Sequence, residues 1–201
     1  EQGIVNSSSI FPYEIIKNKW TPNEKGWVYP PVGRYQPTRG DLNLLAAMRS
    51  SDNIYFAWAI LNLGEEKYLD YLKNTLHYTD VLPSDLPIKQ ARLINKGTEM
   101  NRKILSDMAF GQGEMLITPL QVLSMYTAFL NNGDQLQPQF IESITQSDGV
   151  SNTVVQENSR TVYLENIMDA STLNTILPTL REVVNTGTAH AIKNKNLQLA
   201  A

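Results

Sequence analysis

From Asp41, a good N-cap, the apolar residues Leu42, Leu45, Ala46 and Met48 recur at helical spacing until the polar run Arg49, Ser50, Ser51, Asp52, Asn53 interrupts them. The next segment, Ile54 to Leu63, is apolar almost all round and stops at Gly64, the pattern of a buried helix rather than a surface one. Glu65 to Leu76 predicts another helix, with Tyr68, Leu69 and Leu72 on its apolar face, and "VLPSDLPIKQ" at 81–90 a proline-punctuated loop. Residues 99–109 carry a weaker helical pattern. Thr118 as N-cap, Pro119 at the first helical position and Gln121 behind it start a further helix, which Asn131, Asn132 and Gly133 end. "QPQFIESITQSDGVSNTVVQE" alternates and turns at Asp148-Gly149, a hairpin signal, and Asp169 to Val184 is helical with Pro178 as a kink. Residues 1–40 hold five prolines, Trp20 and Trp27, the mark of a packed loop region with short strands pinned by aromatics. "NLQLAA" at 196–201 reads as the beginning of a strand.

Composition narrows this only by exclusion. At 201 residues with 42% hydrophobic and 18% charged, the chain can build a globular core. A net charge of -3 and no basic run beyond a pair leave no footprint for nucleic acid or anionic lipid. Cysteine is absent, which excludes disulfides and thiolate chemistry; His77 and His190 stand far apart, so a zinc site is not expected. No run reaches the roughly 18 to 20 apolar residues of a membrane span, and "EQGIVNSSSIFP" is no signal peptide, so the chain reads as soluble. "GQGEML" does not fit the dinucleotide fingerprint, and no G-x-S-x-G elbow occurs.

The candidate chemistry lies at the mouth of the apolar helix. On residue type alone Ser51-Asp52-Asn53 is an N-cap. It also fits the S-x-N element that accompanies S-x-x-K and K-T-G in penicillin-binding proteins and serine β-lactamases. Three further stretches agree in order and spacing: "LGEEKY" after the helix, "DMAFGQGEMLITPLQVLSMYTAFLNNG" at 107–133, and "LREVVNTGTAHAIKNKNLQLAA" at the end. Together they resemble the transpeptidase domain of penicillin-binding proteins. "SSDNIYFA", "LPSDLP" and "GQGEMLITP" look most like the class B, low-affinity, methicillin-resistance type, and the likeness covers most of residues 33–201.

The resemblance implies an α/β transpeptidase fold, mainly helical in this stretch, with a helical subdomain and a few short strands. It implies that Ser51 helps pass a proton from a nucleophilic serine to the leaving amine, and that the Asn53 amide binds the carbonyl of a peptidoglycan stem peptide or of a β-lactam. Phe110, Gln112 and Gly113 match positions of the substrate groove. The resemblance places Tyr at the position of Phe110, which implies a groove wall that lacks the hydroxyl and its hydrogen bond. On residue type alone Gly111 and Gly113 serve backbone geometry, Asp52 caps, and Met100, Met108, Met115 and Met125 fill core. No metal or cofactor is implied. The implied setting is the outer face of the bacterial cytoplasmic membrane, through an anchor and beside the cell-wall synthesis machinery.

The departures are equally specific. No serine has lysine three residues later, and "NTGT" at 185–188 has Asn where K-T-G needs Lys, so Gly187 is expected to be a helix terminator. The chain therefore reads as an excised, incomplete transpeptidase domain lying between S-x-x-K and K-T-G. Its expected parts are a lead-in at 1–40, a helical subdomain at 41–133, a hairpin region at 134–165, and 166–201 leading toward K-T-G. By itself such a chain is expected to be inactive. The alternatives are a non-catalytic transpeptidase-like module that binds peptidoglycan or a division partner, and, less in keeping with the spacing, a β-lactamase or carboxypeptidase.

Overall fold

Asn43, not Asp41, starts the first helix: its side chain accepts from the Ala46 amide at 3.0 Å, and α1 runs Leu44–Ser50. The reason is upstream. The carbonyl of Leu42 accepts from the Phe11 amide at 2.8 Å and its side chain is buried, so residues 41–42 are committed to the lead-in and the helix begins after them. The structure, a computed structural model, describes all residues except 1, 2, 4, 24–26, 28, 29, 39, 195, 198 and 201. It divides into two compact units.

The first unit comprises Glu1–Tyr71, Ile94–Met115 and Ser171–Ala201. In its lead-in two short strands, β1 (Lys19–Trp20) and β2 (Val32–Gly33), pair antiparallel. Aromatics fix this irregular stretch: Phe11 meets Trp20 and Trp58 edge to face at 5.2 and 5.9 Å, and Tyr13 stacks on Trp20. After α1 comes α2 (Asn53–Leu63), whose Ile54, Tyr55, Ala57, Ile60 and Leu61 are all buried, as its unbroken apolar run predicts. Burial of an Ile- or Leu-sized side chain contributes about 1.5–3 kcal/mol, so this helix is the anchor of the unit. Gly64 ends it as expected.

Helix α3 (Glu65–Asp70) does not continue to Leu76 as an α-helix; its last turns widen into a π-helix over Tyr71–Thr75. Helix α4 (Arg102–Met108) packs on α2, with Leu105 fully buried, and Arg102 donates to the Leu61 carbonyl at 3.0 Å near the end of α2.

The second unit comprises Leu72–Leu93 and Leu116–Ala170. Helix α5 (Pro119–Tyr126) begins with the expected capping box, Thr118 and Gln121 bonding each other's backbone amides, and continues as a 3₁₀ turn over Thr127–Leu130. The short strand β3 (Gln135–Leu136) follows. Gly133, at φ +97°, fits only as glycine, because a Cβ there would lie 2.1 Å from the Met168 carbonyl. Strands β4 (Ser143–Ser147) and β5 (Asn152–Glu157) form the hairpin across Asp148-Gly149, and β6 (Val162–Leu164) pairs with β3.

Helix α6 (Ala170–Asn185), with Pro178 inside it, belongs to the first unit from Ser171 on. The strand expected to start in 196–201 falls partly outside the described residues; Asn196 and Leu197 form a bend. No helix among the described residues is long and apolar enough to cross a membrane.

Candidate active site

Where α1 stops, the backbone reverses through Ser51 in the left-handed region, φ 53° and ψ 52°. Its amide donates to the Met48 carbonyl at 3.1 Å and the next amide, of Asp52, to the Ala47 carbonyl at 2.9 Å. This is the usual glycine-type helix ending carried by a serine, at about 1–2 kcal/mol of backbone strain. Non-glycine residues held there are concentrated at functional sites.

Asp52 then caps α2. One carboxylate oxygen accepts from the amides of Ile54 and Tyr55 at 2.9 and 3.2 Å, which satisfies two of the helix's free donors. The other oxygen faces Arg34 at 3.1 Å, and the Asp52 side chain is wholly buried while that of Arg34 is 10% exposed. The capping role was legible; the ion pair was not. Arg34 is further held by Thr38 Oγ1 at 3.3 Å, and its own amide donates to the Asn18 carbonyl at 3.0 Å. The buried charge is thus paired and every oxygen of Asp52 is used, the condition under which burial of a carboxylate is tolerated.

Asn53 opens α2 and points one N–H of its amide at the Gly33 carbonyl at 3.3 Å. Among the described residues its second N–H and its oxygen have no hydrogen-bond partner, so both can still bond. Strand β2 and the residue after it therefore fasten this turn twice, through Gly33 to Asn53 and through Arg34 to Asp52.

On its other side the turn meets the loop after α6. Ser51 Oγ lies 2.8 Å from Thr188 Oγ1, both residues exposed, and the Thr188 amide donates to the Arg49 carbonyl at 3.0 Å. Gly187 is not a left-handed helix terminator: a Cβ on it would fall 2.4 Å from the Arg49 carbonyl and 2.8 Å from that of Val183, so the residue is glycine because the loop comes that close. "NTGT" looked like an imperfect K-T-G, yet it supplies a hydroxyl to the candidate site. Behind the loop, His190 Nδ1 lies 2.8 Å from the Asn185 carbonyl, and hydrogen bonds from Asn185 and Thr186 hold the Glu182 carboxyl below the usual carboxylate range.

Phe110, Gln112 and Gly113 form the turn after α4 in the same unit. Phe110 packs against the apolar cluster that also contains Ile54 and Tyr55 of α2. The Gln112 amide donates to the Asp107 carbonyl at 3.0 Å and its side chain is exposed. Gly113, at φ +79°, would carry a Cβ 3.1 Å from that of Asp107, a backbone reason for glycine. No hydrogen bond among the described residues joins this turn to Ser51 or Asn53. Among the described residues no group of three or more His, Cys, Asp and Glu could hold a metal ion.

The constellation presents a hydroxyl and an amide, fixed to within a rotamer, at the entrance of a buried helix. No serine in these 201 residues is followed three residues later by a lysine. The chain matches the family described as penicillin binding protein transpeptidase domain over residues 6–201. It is similar to Penicillin-binding protein 3 of Bacillus subtilis (strain 168), 31% identical over 137 residues, which is 68% of this chain and 20% of that protein. A crystal structure of PBPA from Mycobacterium tuberculosis has the same fold, with TM-score 0.66 and 14% identity over 80% of this chain and 36% of that one. The chain spans about a fifth of the length of the curated relative it matches.

Proposed function

The chain belongs to the penicillin-binding protein transpeptidase family, and we propose that it is the central part of a serine D,D-transpeptidase that cross-links peptidoglycan. The family binds peptidoglycan peptides and β-lactams. In the proposed reaction a serine outside these 201 residues attacks the carbonyl carbon of the penultimate D-Ala of a stem peptide. The amide C–N bond breaks and terminal D-Ala leaves as an amine that takes up the serine proton. An amine of a neighbouring strand then attacks the ester, forms the cross-link and frees the serine. Ser51 passes the proton between nucleophile and amine; Asn53 donates to the carbonyl oxygen; Phe110, Gln112 and Gly113 border the peptide groove. The working site is the outer face of the bacterial cytoplasmic membrane.

One observation carries this reading: a strained, exposed serine stands two residues before an asparagine whose amide keeps a free N–H, and a fully paired buried aspartate locks both to α2. Catalytic groups need such rigid support, because a misplacement of about 1 Å can cost roughly 10²-fold in rate.

The test is intact-mass spectrometry of the full-length protein during exposure to benzylpenicillin, whose ring amide mimics the scissile bond. The wild type is expected to gain one penicilloyl group, and Ser51→Ala to gain it about 10²- to 10⁴-fold more slowly, the range for a general acid or base. No adduct after prolonged exposure would remove the acylation reading and leave a non-catalytic module that binds peptidoglycan or a division partner. An adduct mapped to Ser51 itself would mean that its role is misassigned.

A further inference from the structure

We infer that Thr188 is a positioning residue for Ser51, and that Gly187 is glycine so that Thr188 can reach it. This rests on the proposed relay role of Ser51. The two hydroxyls are 137 residues apart in sequence and 2.8 Å apart in space. Two exposed hydroxyls would gain little from meeting by chance, since each can bond water equally well. Here the meeting is enforced by backbone. The Thr188 amide is tied to the Arg49 carbonyl, a group at the end of α1 that the helix itself leaves unsatisfied. Gly187 lies so near this carbonyl that any side chain would push the loop away. The loop is closed behind by the Ala189 amide on the Val183 carbonyl at 3.1 Å and by His190 Nδ1 at the Asn185 carbonyl.

The consequence concerns where the Ser51 proton points. A relay hydroxyl must hold its oxygen in one place and keep both a proton to give and a lone pair to receive. A serine in a left-handed turn has its backbone fixed, but χ1 still has three staggered wells. Either hydroxyl can donate across this pair; in the proposed arrangement Thr188 donates, one lone pair of Ser51 Oγ is occupied, and a single well is favoured. The Ser51 proton and its second lone pair then remain for the nucleophile on one side and the leaving amine on the other. In this proposal Thr188 acts only through Ser51.

The experiment compares Thr188→Val, which keeps the shape and loses the hydroxyl, with Thr188→Ser, which keeps the hydroxyl. Both are made in the full-length protein, alone and with Ser51→Ala. The readout is the second-order rate of acylation by benzylpenicillin, with the thermal midpoint as a check on folding. Thr188→Val is expected to slow acylation about 10- to 100-fold, up to the cost of a small misplacement, with its midpoint near that of the wild type. Thr188→Ser should stay within a few-fold of the wild type. In the Ser51→Ala background Thr188→Val should cost nothing further, because its effect runs through the missing hydroxyl.

Wild-type rates in Thr188→Val, equal losses in the Val and Ser variants, or full additivity with Ser51→Ala would each overturn the inference. A wild type that acylates and slows on Ser51→Ala, but ignores Thr188→Val, removes Thr188 alone. A Ser51→Ala variant as fast as the wild type removes the relay reading beneath it.

Discussion

The Ser51–Asn53 turn and the β4–β5 hairpin are both tight reversals capped by an aspartate, and they are held in opposite ways. Asp148 in the hairpin accepts from the amides of Val150 and Ser151 at 2.8 and 2.7 Å and from the Ser151 hydroxyl at 3.1 Å, all within three residues. Every residue of β4 and β5 is exposed. Asp52 makes the same local capping bonds, but it is buried and reaches Arg34, 18 residues away, while the serine beside it reaches Thr188. Local turn chemistry suffices to reverse a chain in water. A reversal that must present two side chains in fixed directions is fastened from distant parts of the chain as well.

Removal of the distant fastening should have the largest effect. Arg34→Met leaves the Asp52 carboxylate buried without a counter-charge, and loss of one partner of a buried pair costs about 3–5 kcal/mol. Urea unfolding should show a loss of that size. Arg34→Met combined with Asp52→Asn should recover most of it, since Asn caps helices as well as Asp does. An equal loss in both variants would mean that the guanidinium's packing, not its charge, is what matters. The matching change in the hairpin, Asp148→Asn, has no buried charge to strand and should leave global unfolding unmoved.

A second pair of substitutions separates two reasons for glycine. Gly187→Ala forces a methyl against the Arg49 and Val183 carbonyls and should cost about 1–3 kcal/mol, as overpacking does. It should also slow acylation, because the Thr188 loop is displaced. Gly149→Ala meets no atom within 4 Å but sits at φ +87°, so it should cost about 1–2 kcal/mol of backbone strain and leave acylation untouched. Equal acylation in both variants would break the claim that the first loop serves the site.

What could be read from the sequence divides along the same line. The capping box at Thr118 and Gln121, the Asp148-Gly149 hairpin, the buried helix behind Asp52 and its Gly64 stop are signals contained in a few adjacent residues. Asp41 was misread as a cap because its competitor Asn43 wins only through the bond between Phe11 and Leu42, which no local pattern announces. Arg34 and Thr188 were missed because a pair 18 or 137 residues apart leaves no periodicity, and Gly187 because close approach of another segment is invisible in one dimension. The π-helical end over Tyr71–Thr75 likewise has no sequence signature that sets it apart from a helix continued to Leu76.

The smallest effect should come from acid, on the hairpin side. At the base of the hairpin, Asp85 accepts from the Ile141 amide at 2.7 Å and from the Phe140 amide at 3.0 and 3.1 Å. The Ile141 amide foremost, and the Phe140 amide behind it, hold the Asp85 carboxyl below its ordinary value, and the amides of Ser151 and Val150 do the same for Asp148. A carboxyl with a lowered folded pKa contributes stability that is present above its unfolded pKa and is lost as pH falls through the folded one. Both contributions are therefore complete at neutral pH and fade only below the ordinary carboxylate range. Both groups lie at the surface, so the loss is local. Amide exchange at Phe140, Ile141, Val150 and Ser151 should accelerate as pH is lowered through that window, after correction for the intrinsic pH dependence of exchange. Asp85→Asn should speed exchange at Phe140 and Ile141 already at neutral pH and leave Val150 and Ser151 protected. If exchange at all four amides rises together in Asp85→Asn, the hairpin and its base open as one unit, and the local character assigned to that reversal is wrong.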